Sequence, residues 1–163
     1  MKYLFRILLV ILIAGVLPAC SSNGSNDDDK GFGSGKMTAN IGGTAWNAAN
    51  ATATELTVAG FSSLTIAGSD TGAKSMTISF AGLTRGQTGT FSLGTSNNLA
   101  SMSYIADAAG TVYFATSGSA SISSYNDSGV KGTFSFEGTV VGTGATLSIT
   151  NGTFEVGYGP SIF

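Results

Sequence analysis

The sequence predicts an all-β fold, either a single antiparallel β-sandwich or a closed meander barrel of about nine to ten strands. Three observations support this class. Short segments alternate polar with apolar residues, turn-forming residues recur between them at intervals of roughly ten residues, and no segment has the periodicity of an amphipathic helix. Pro160 is the only proline after Pro18, so no proline interrupts strand pairing before the last few residues.

Residues 1–20 have the composition of a secretory signal peptide. Basic residues precede an apolar run from Ile7 to Val16, which is about half the length of the roughly 20 residues needed to span a bilayer. The ending Leu17-Pro18-Ala19-Cys20 resembles the lipobox of bacterial lipoproteins, in which the peptide is cut before the cysteine and the cysteine is acylated. The resemblance implies that residues 1–19 are removed and that Cys20 carries the lipid anchor, palmitate included.

Residues 20–35 are predicted to form a flexible tether behind the lipid. The segment is rich in Ser, Gly, Asn and Asp and has almost no apolar side chains. Within it, Asp27-Asp28-Asp29 does not suit calcium, because a calcium site needs six to eight oxygens converging from a shaped loop. We interpret the three carboxylates as part of a solvated linker. The alternative is a sorting role, since the cluster resembles the export tag of some Gram-negative surface lipoproteins.

Residues 36–163 are predicted to form one all-β domain, long enough to bury a sizeable core. Alternation places the apolar side chains of each segment on one face and the hydroxyls on the other. The segments are, in chain order, Ser63–Ile66, Ser75–Phe80, Thr90–Leu93, Thr133–Phe136, Thr146–Ile149 and Thr153–Val156. Turns are predicted at Gly68–Gly72, Ala109–Gly110, Asn126–Gly129 and Gly142–Gly144.

Short connections favour antiparallel neighbours, and therefore a meander of hairpins. Asn151-Gly152 is either a hairpin turn or a bulge within one long terminal strand. The tripeptide Gly-Thr-Phe begins at Gly89, Gly132 and Gly152 with unequal spacings, which excludes a regular repeat. We interpret all three as strand entries, in which glycine permits the turn and phenylalanine starts the core.

Composition excludes several functional classes. Charged residues make up 10% of the chain and the net charge is −2, so there is no basic patch to replace the counterions of a nucleic acid. Histidine is absent, which excludes histidine-dependent triads and histidine zinc sites. Cys20 is the only cysteine, and lipidation would consume its thiol. We expect no metal and no cofactor.

The acidic residues of the domain do not form an obvious catalytic pair. Two carboxylates about 5–9 Å apart could hydrolyse a glycosidic bond. Asp70, Asp107 and Asp127 lie in predicted turns, where aspartate usually accepts hydrogen bonds from its own backbone. Glu137 and Glu155 alternate with core residues and should point outward. We therefore expect a non-enzymatic protein with no catalytic residues.

Four aromatic residues are the candidates for ligand binding. Trp46 is interpreted mainly as a plug at one end of the core, with its indole N–H donating to a backbone carbonyl. Its place after a glycine near the domain's start is also similar to the first strand of lipocalins, which implies a carrier. Tyr104, Tyr113 and Tyr125 could stack on a sugar, or could be core-edge residues whose hydroxyls reach water.

Taken together, the segments resemble a family of small, β-rich bacterial lipoproteins of uncharacterised function. The resemblance rests on the lipobox, the tether, Gly43–Ala48, Gly132–Phe136 and Ile149–Phe154. It implies a β-rich domain but no activity and no catalytic residues.

These features predict a lipoprotein of the Gram-negative cell envelope, held in the outer membrane through Cys20, with the leaflet left open. The leading hypothesis is a binding module with a saccharide or protein partner and no affinity for nucleic acid. One alternative is a calycin-like carrier of a small apolar ligand. Another is a self-associating structural component, because charges and prolines that normally protect edge strands are scarce.

Overall fold

The computed structural model describes residues 35–94 and 99–158, in which the chain forms ten β-strands and no helix. This confirms the all-β class and the expected number of strands. The strands are β1 (Lys36–Ile41), β2 (Thr44–Asn47), β3 (Asn50–Val58), β4 (Phe61–Ser69), β5 (Ser75–Ala81), β6 (Gly89–Ser92), β7 (Ala100–Ile105), β8 (Val112–Asn126), β9 (Gly129–Val140) and β10 (Thr146–Gly157).

The strands belong to one antiparallel sheet, with the order β2-β1-β10-β9-β8-β7-β5-β4-β3, and β6 pairs with β8 off this path. Most neighbours are consecutive in the chain, as a meander predicts. One exception is β5, which pairs with β7 because β6 leaves the path to pair with β8. The other is β1, which pairs with β10 and so brings the first and last parts of the domain together, with Lys36 opposite Glu155. The pairing of β1 with β10 joins residues that are far apart in the sequence, and the alternation of polar and apolar residues within a strand does not predict such a pairing.

The sheet curls because consecutive strands occupy its two opposite edges. Only Ala48 and Ala49 separate β2 from β3, so the edges must lie close together. The backbone N–H of Ala49 donates to the carbonyl of Ser69 at 2.8 Å, and Ala53 forms a single parallel bridge with Tyr158. We call this line of contacts the seam. Because no continuous ladder follows the seam in the described residues, the shape is a curled half-barrel, and neither a sandwich nor a closed barrel is confirmed.

The core fills the concave face of the sheet, as the alternation predicts. Met76, Ile78 and Phe80 on β5 are all buried, whereas the intervening hydroxyl residues are partly exposed. Glu137 and Glu155 point outward to solvent, again as predicted. Alternate residues of the neighbouring strands complete the same face, among them Leu64, Ile66, Met102, Ala120, Ile122, Val130, Phe136 and Ile149.

Two glycines of the core make room for phenylalanine rings on the facing strand. Gly132 lies directly opposite Phe154, and Gly152 lies directly opposite Phe134. The two rings stack with their centroids 6.4 Å apart and their planes at 18°. The interpretation of every Gly-Thr-Phe as a strand entry is therefore wrong for β9 and β10, where glycine lies inside the strand. It holds for Gly89, which begins β6.

The terminal strand contains a bulge at Asn151. The register between β10 and β9 shifts between Ile149 and Gly152, and Asn151 has φ of 52°, in the left-handed region that asparagine tolerates better than most residues. Of the two alternatives for Asn151-Gly152, the structure confirms the bulge within one long strand.

The curled sheet has two ends, which we name the proximal and the distal end. At the proximal end β1 begins after Gly35, β10 ends before Tyr158, and the β8–β9 turn lies beside them. Since Ala53 and Tyr158 form a parallel bridge, β3 runs in the same direction as β10 and the β3–β4 hairpin also points proximally. The distal end carries the β1–β2, β4–β5, β7–β8 and β9–β10 connections.

Candidate functional site

The distal end holds a surface cleft of about 460 Å³ between the β7–β8 and β9–β10 connections, which we name the distal cleft. Tyr113 and Val140 are paired residues of β8 and β9 and form its floor. Val141 is 79% exposed at its rim. Thr111 and Thr143 also line it, so the cleft combines an aromatic residue, an apolar rim and residues that can form hydrogen bonds.

Two of the predicted tyrosines meet at this cleft. Tyr104 on β7 lies directly opposite Tyr113 on β8, with the ring centroids 6.3 Å apart and the planes tilted by 32°. Tyr104 is buried behind the cleft, and burial, reinforced by the negative charge of Asp70, raises the pKa of its hydroxyl. Tyr113 is only partly buried, so its ring is the one a ligand could contact.

Asp107 shapes the loop that forms one wall of the distal cleft. Its Oδ1 accepts the backbone N–H of Thr111 at 3.1 Å. Hydrogen bonds from the backbone and the side chain of Thr111 hold the pKa of Asp107 below its ordinary value. The side chain therefore supports its own turn, as predicted for an aspartate in this position.

Trp46 lies at the seam, where it joins two edges of the sheet. Its side chain is buried, and its indole Nε1 donates to Oδ2 of Asp70 at 3.0 Å. The predicted backbone carbonyl acceptor is therefore wrong, because the carboxylate of the β4–β5 turn reaches the indole across the seam. Although desolvation opposes ionisation, backbone N–H groups of Lys74 and Gly72, with the indole N–H, hold the pKa of Asp70 below its ordinary value.

A polar cluster closes the proximal end. Arg85, in the connection before β6, contacts Glu55 of β3 through Nε at 2.8 Å and Asp127 of the β8–β9 turn through Nη1 at 2.6 Å. Its guanidinium also lies 5.0 Å from the ring centroid of Tyr158. The carboxylates of Asp127 and Glu55 raise the pKa of Arg85, so the arginine stays charged and ties three elements together. Asp127 thus binds an arginine and does not cap its turn.

Two tyrosine hydroxyls beside this cluster are buried without a hydrogen-bond partner among the described residues. They belong to Tyr125 and Tyr158. Burial, together with the nearby Glu55 carboxylate, raises the pKa of both phenols. The position of Glu55 beside these hydroxyls was not predicted from the sequence. The alternation Ala51, Ala53, Glu55 along β3 was the available indication that this carboxylate points inward.

A second open cleft of about 330 Å³ lies at the proximal end beside the β5–β6 connection. Leu83 and Phe91 line it together with the exposed Leu99, and it contains no acidic or basic side chain. Among the described residues, no three acidic side chains lie close enough together to hold a metal ion.

The four aromatic candidates do not form one surface. Tyr104 and Tyr113 lie together at the distal end, Tyr125 is buried at the proximal end, and Trp46 lies at the seam. The predicted lipid anchor Cys20, the signal peptide 1–19, the tether up to residue 34 and Pro160 all lie outside the described residues.

Comparison with known proteins adds a family but no activity. A family model described as a domain of unknown function, DUF6252, matches residues 34–156, which is nearly the whole described sheet. No curated protein and no solved structure matches the chain significantly. In the part of the chain that the structure describes, no helix is long and apolar enough to cross a membrane.

Proposed function

The chain belongs to DUF6252, a domain family of unknown function, and we propose that it is a lipid-anchored, non-enzymatic binding module of the bacterial cell envelope. The lipobox-like ending at Cys20 supports anchoring in the outer membrane. A short polar tether then leads to a compact β domain. The remaining question is which surface of that domain meets a partner.

The observation that supports binding most directly is the position and lining of the distal cleft. The cleft lies at the end of the sheet opposite the entry of the chain from its N-terminal segment, so a tethered domain would present it away from the lipid. Its volume of about 460 Å³ falls in the usual range for small-ligand sites. The combination of Tyr113 with Thr111 and Thr143 suits a saccharide, which stacks on aromatic faces and forms hydrogen bonds with polar groups.

The engagement of the acidic groups supports a non-enzymatic role. Asp70 and Asp107 accept hydrogen bonds from their own turns, and Glu55 pairs with Arg85. Glu155 pairs with Lys131 across β10 and β9 at 3.1 Å. Each of these carboxylates therefore already has a partner, and none of the four lines the distal cleft.

Two features bear on how the sheet closes and on where a ligand could bind. The seam contacts, in particular the Trp46–Asp70 hydrogen bond and the Ala53–Tyr158 bridge, support a barrel as the form of closure over a sandwich. The concave face is occupied by its own apolar side chains. That occupancy favours binding at the surface over the carrier alternative, which requires an apolar chamber inside the sheet.

The test compares two neighbouring residues of β8. Tyr113→Ala removes the ring that forms the floor of the distal cleft, whereas Phe114→Ala removes an exposed ring that does not line it. Both proteins would be screened, with the parent, against immobilised envelope polysaccharides and their oligosaccharides. Base stacking on a protein aromatic is typically worth about 1–3 kcal/mol, and a similar stack on sugar predicts a loss of about tenfold or more for Tyr113→Ala alone.

Equal binding by the parent and both variants would refute the role of the cleft. Loss of binding in both variants would point to a general effect on β8 and would refute it as well.

A further inference from the structure

The β3–β4 hairpin ends in an exposed apolar surface, formed by Leu56, Val58 and Phe61, which we name the apolar tip. Phe61 is 80% exposed, and Leu56 and Val58 are each 59% exposed. Leu56 and Val58 are separated by one residue and share the outer face of β3, and Phe61 lies directly opposite Val58 on β4. The three side chains therefore form one continuous patch.

The hairpin holds this patch in a defined position. Its loop is the two residues Ala59 and Gly60, with φ of 50° and 85°, as in the tight turn that matches the twist of paired strands. On the opposite face, the hydroxyls of Thr57 and Ser62 are 3.2 Å apart and hydrogen-bonded. No charged residue occurs between Leu56 and Ser63. The tip could therefore enter an apolar medium without taking a charge with it.

The apolar tip points to the side from which the chain enters the domain. Gly35 packs against the carbonyl of Ala51 and the side chain of Val156 at the proximal end. From Ala53, which bridges Tyr158, β3 continues for five residues to Val58, a distance of about 17 Å at the usual rise per residue. The hairpin is thus directed beyond the point where the N-terminal segment joins the sheet.

The length of that segment limits where a lipid surface can be. If Cys20 is lipidated, residues 21–35 connect the lipid to the domain, and the tether predicted from their composition would have a typical end-to-end distance of about 20 Å. This is similar to the projection of the hairpin. A tether of that length would hold the proximal end near enough to the lipid for the apolar tip to touch it.

We propose that the apolar tip docks into the headgroup region of the same leaflet to which Cys20 is anchored. This second contact would orient the domain so that the distal cleft faces away from the lipid. This inference rests on the proposed lipid anchoring. A bilayer is the favoured occupant because the three side chains expose on the order of 300–400 Å², below the roughly 800 Å² per partner of a stable protein interface.

The experiment uses the lipidated chain with a fluorescent reporter at one of two matched positions. Phe61→Trp places an indole on the apolar tip, and Val141→Trp places one at the distal end, where the native side chain is 79% exposed. The native Trp46 is buried and contributes equally to both. Each protein is reconstituted into vesicles of phosphatidylethanolamine and phosphatidylglycerol with brominated acyl chains, and mass spectrometry of the same sample reports the modification of Cys20.

Docking to a depth of about 5–10 Å predicts that bromine quenches about half or more of the added emission in the Phe61→Trp protein and leaves the Val141→Trp protein unchanged. Equal quenching of the two, or none in either, with Cys20 acylated, would overturn the docking and leave the anchor intact. An unmodified Cys20 would overturn the anchoring, and the tethered docking with it. A change in the emission of the Phe61→Trp protein that depends on protein concentration and not on brominated lipid would indicate that the apolar tip contacts a second copy of the chain. That result would also overturn the proposal.

Discussion

Gly152→Ala tests the packing of glycine against phenylalanine in the core. Gly152 does not have a positive φ, so alanine meets no backbone obstacle, and the substitution adds only a methyl group. That methyl carbon would lie 2.5 Å from Cζ of Phe134 and closer still to other atoms of the ring. The ring has little room to move, because it also packs against Phe154, with the ring centroids 6.4 Å apart.

The expected cost follows from two opposing effects. Overpacking a well-packed core costs about 1–3 kcal/mol. Replacing a strand glycine with alanine recovers about 0.5–1 kcal/mol, because glycine loses more backbone entropy on folding. We expect a net loss of about 1–2 kcal/mol in the free energy of unfolding, and a decrease in Tm of about 4–7 °C for a domain of this size.

Thermal and urea unfolding of the chain without its signal peptide, followed by circular dichroism, would measure this loss. Gly72→Ala is the control, since its methyl carbon would meet nothing nearer than Oδ1 of Asp70 at an ordinary 3.4 Å. In a Phe134→Leu background the smaller side chain should make room, so Gly152→Ala should then cost less than it does in the parent. A penalty of the same size in both backgrounds, or no penalty in the parent, would refute the steric explanation.

Two further predictions concern the hairpin and the seam. Ala59 has φ of 50° in the turn of the β3–β4 hairpin, so Ala59→Asn should raise stability by about 0.5–1 kcal/mol, seen as slower amide exchange in β3; faster exchange would contradict it. Asp70 has a lowered pKa in the folded state, so its stabilising effect is present above its unfolded value of 3.8 and is lost as pH falls through the folded pKa. Asp70→Asn should therefore reduce the difference in Tm between neutral and acidic pH, with Trp46 fluorescence as the readout, and an unchanged difference would be evidence against the bond.

The alternation of polar and apolar residues was sufficient to predict most of the strands. The alternation Ser75–Phe80 predicted both the strand and its buried face, because side chains of an extended chain point to opposite sides at every step. The same reasoning predicted outward positions for Glu137 and Glu155. The turn aspartates Asp70 and Asp107 were also predictable, since each bonds to a backbone group within four residues.

The candidate site was less predictable from sequence. Tyr113 was one of four aromatic candidates, and nothing local distinguished it from Tyr125, which is buried at the other end of the sheet. The apolar residues of the hairpin tip resemble core residues in sequence. They are exposed because the register of the hairpin places them on the outer face of the sheet, which no other described element covers.

The amino-acid sequence was enough to establish the all-β class, the approximate number of strands and the two possibilities at Asn151, because each depends on residues within a few positions of one another. The fold decided the features that depend on register between distant segments. These include the pairing of Gly152 with Phe134, the hydrogen bond from Trp46 to Asp70, and the curl that separates a proximal from a distal end. A shift of register by one residue would turn every side chain of a strand to its other face, so these contacts exist only once the whole sheet has formed.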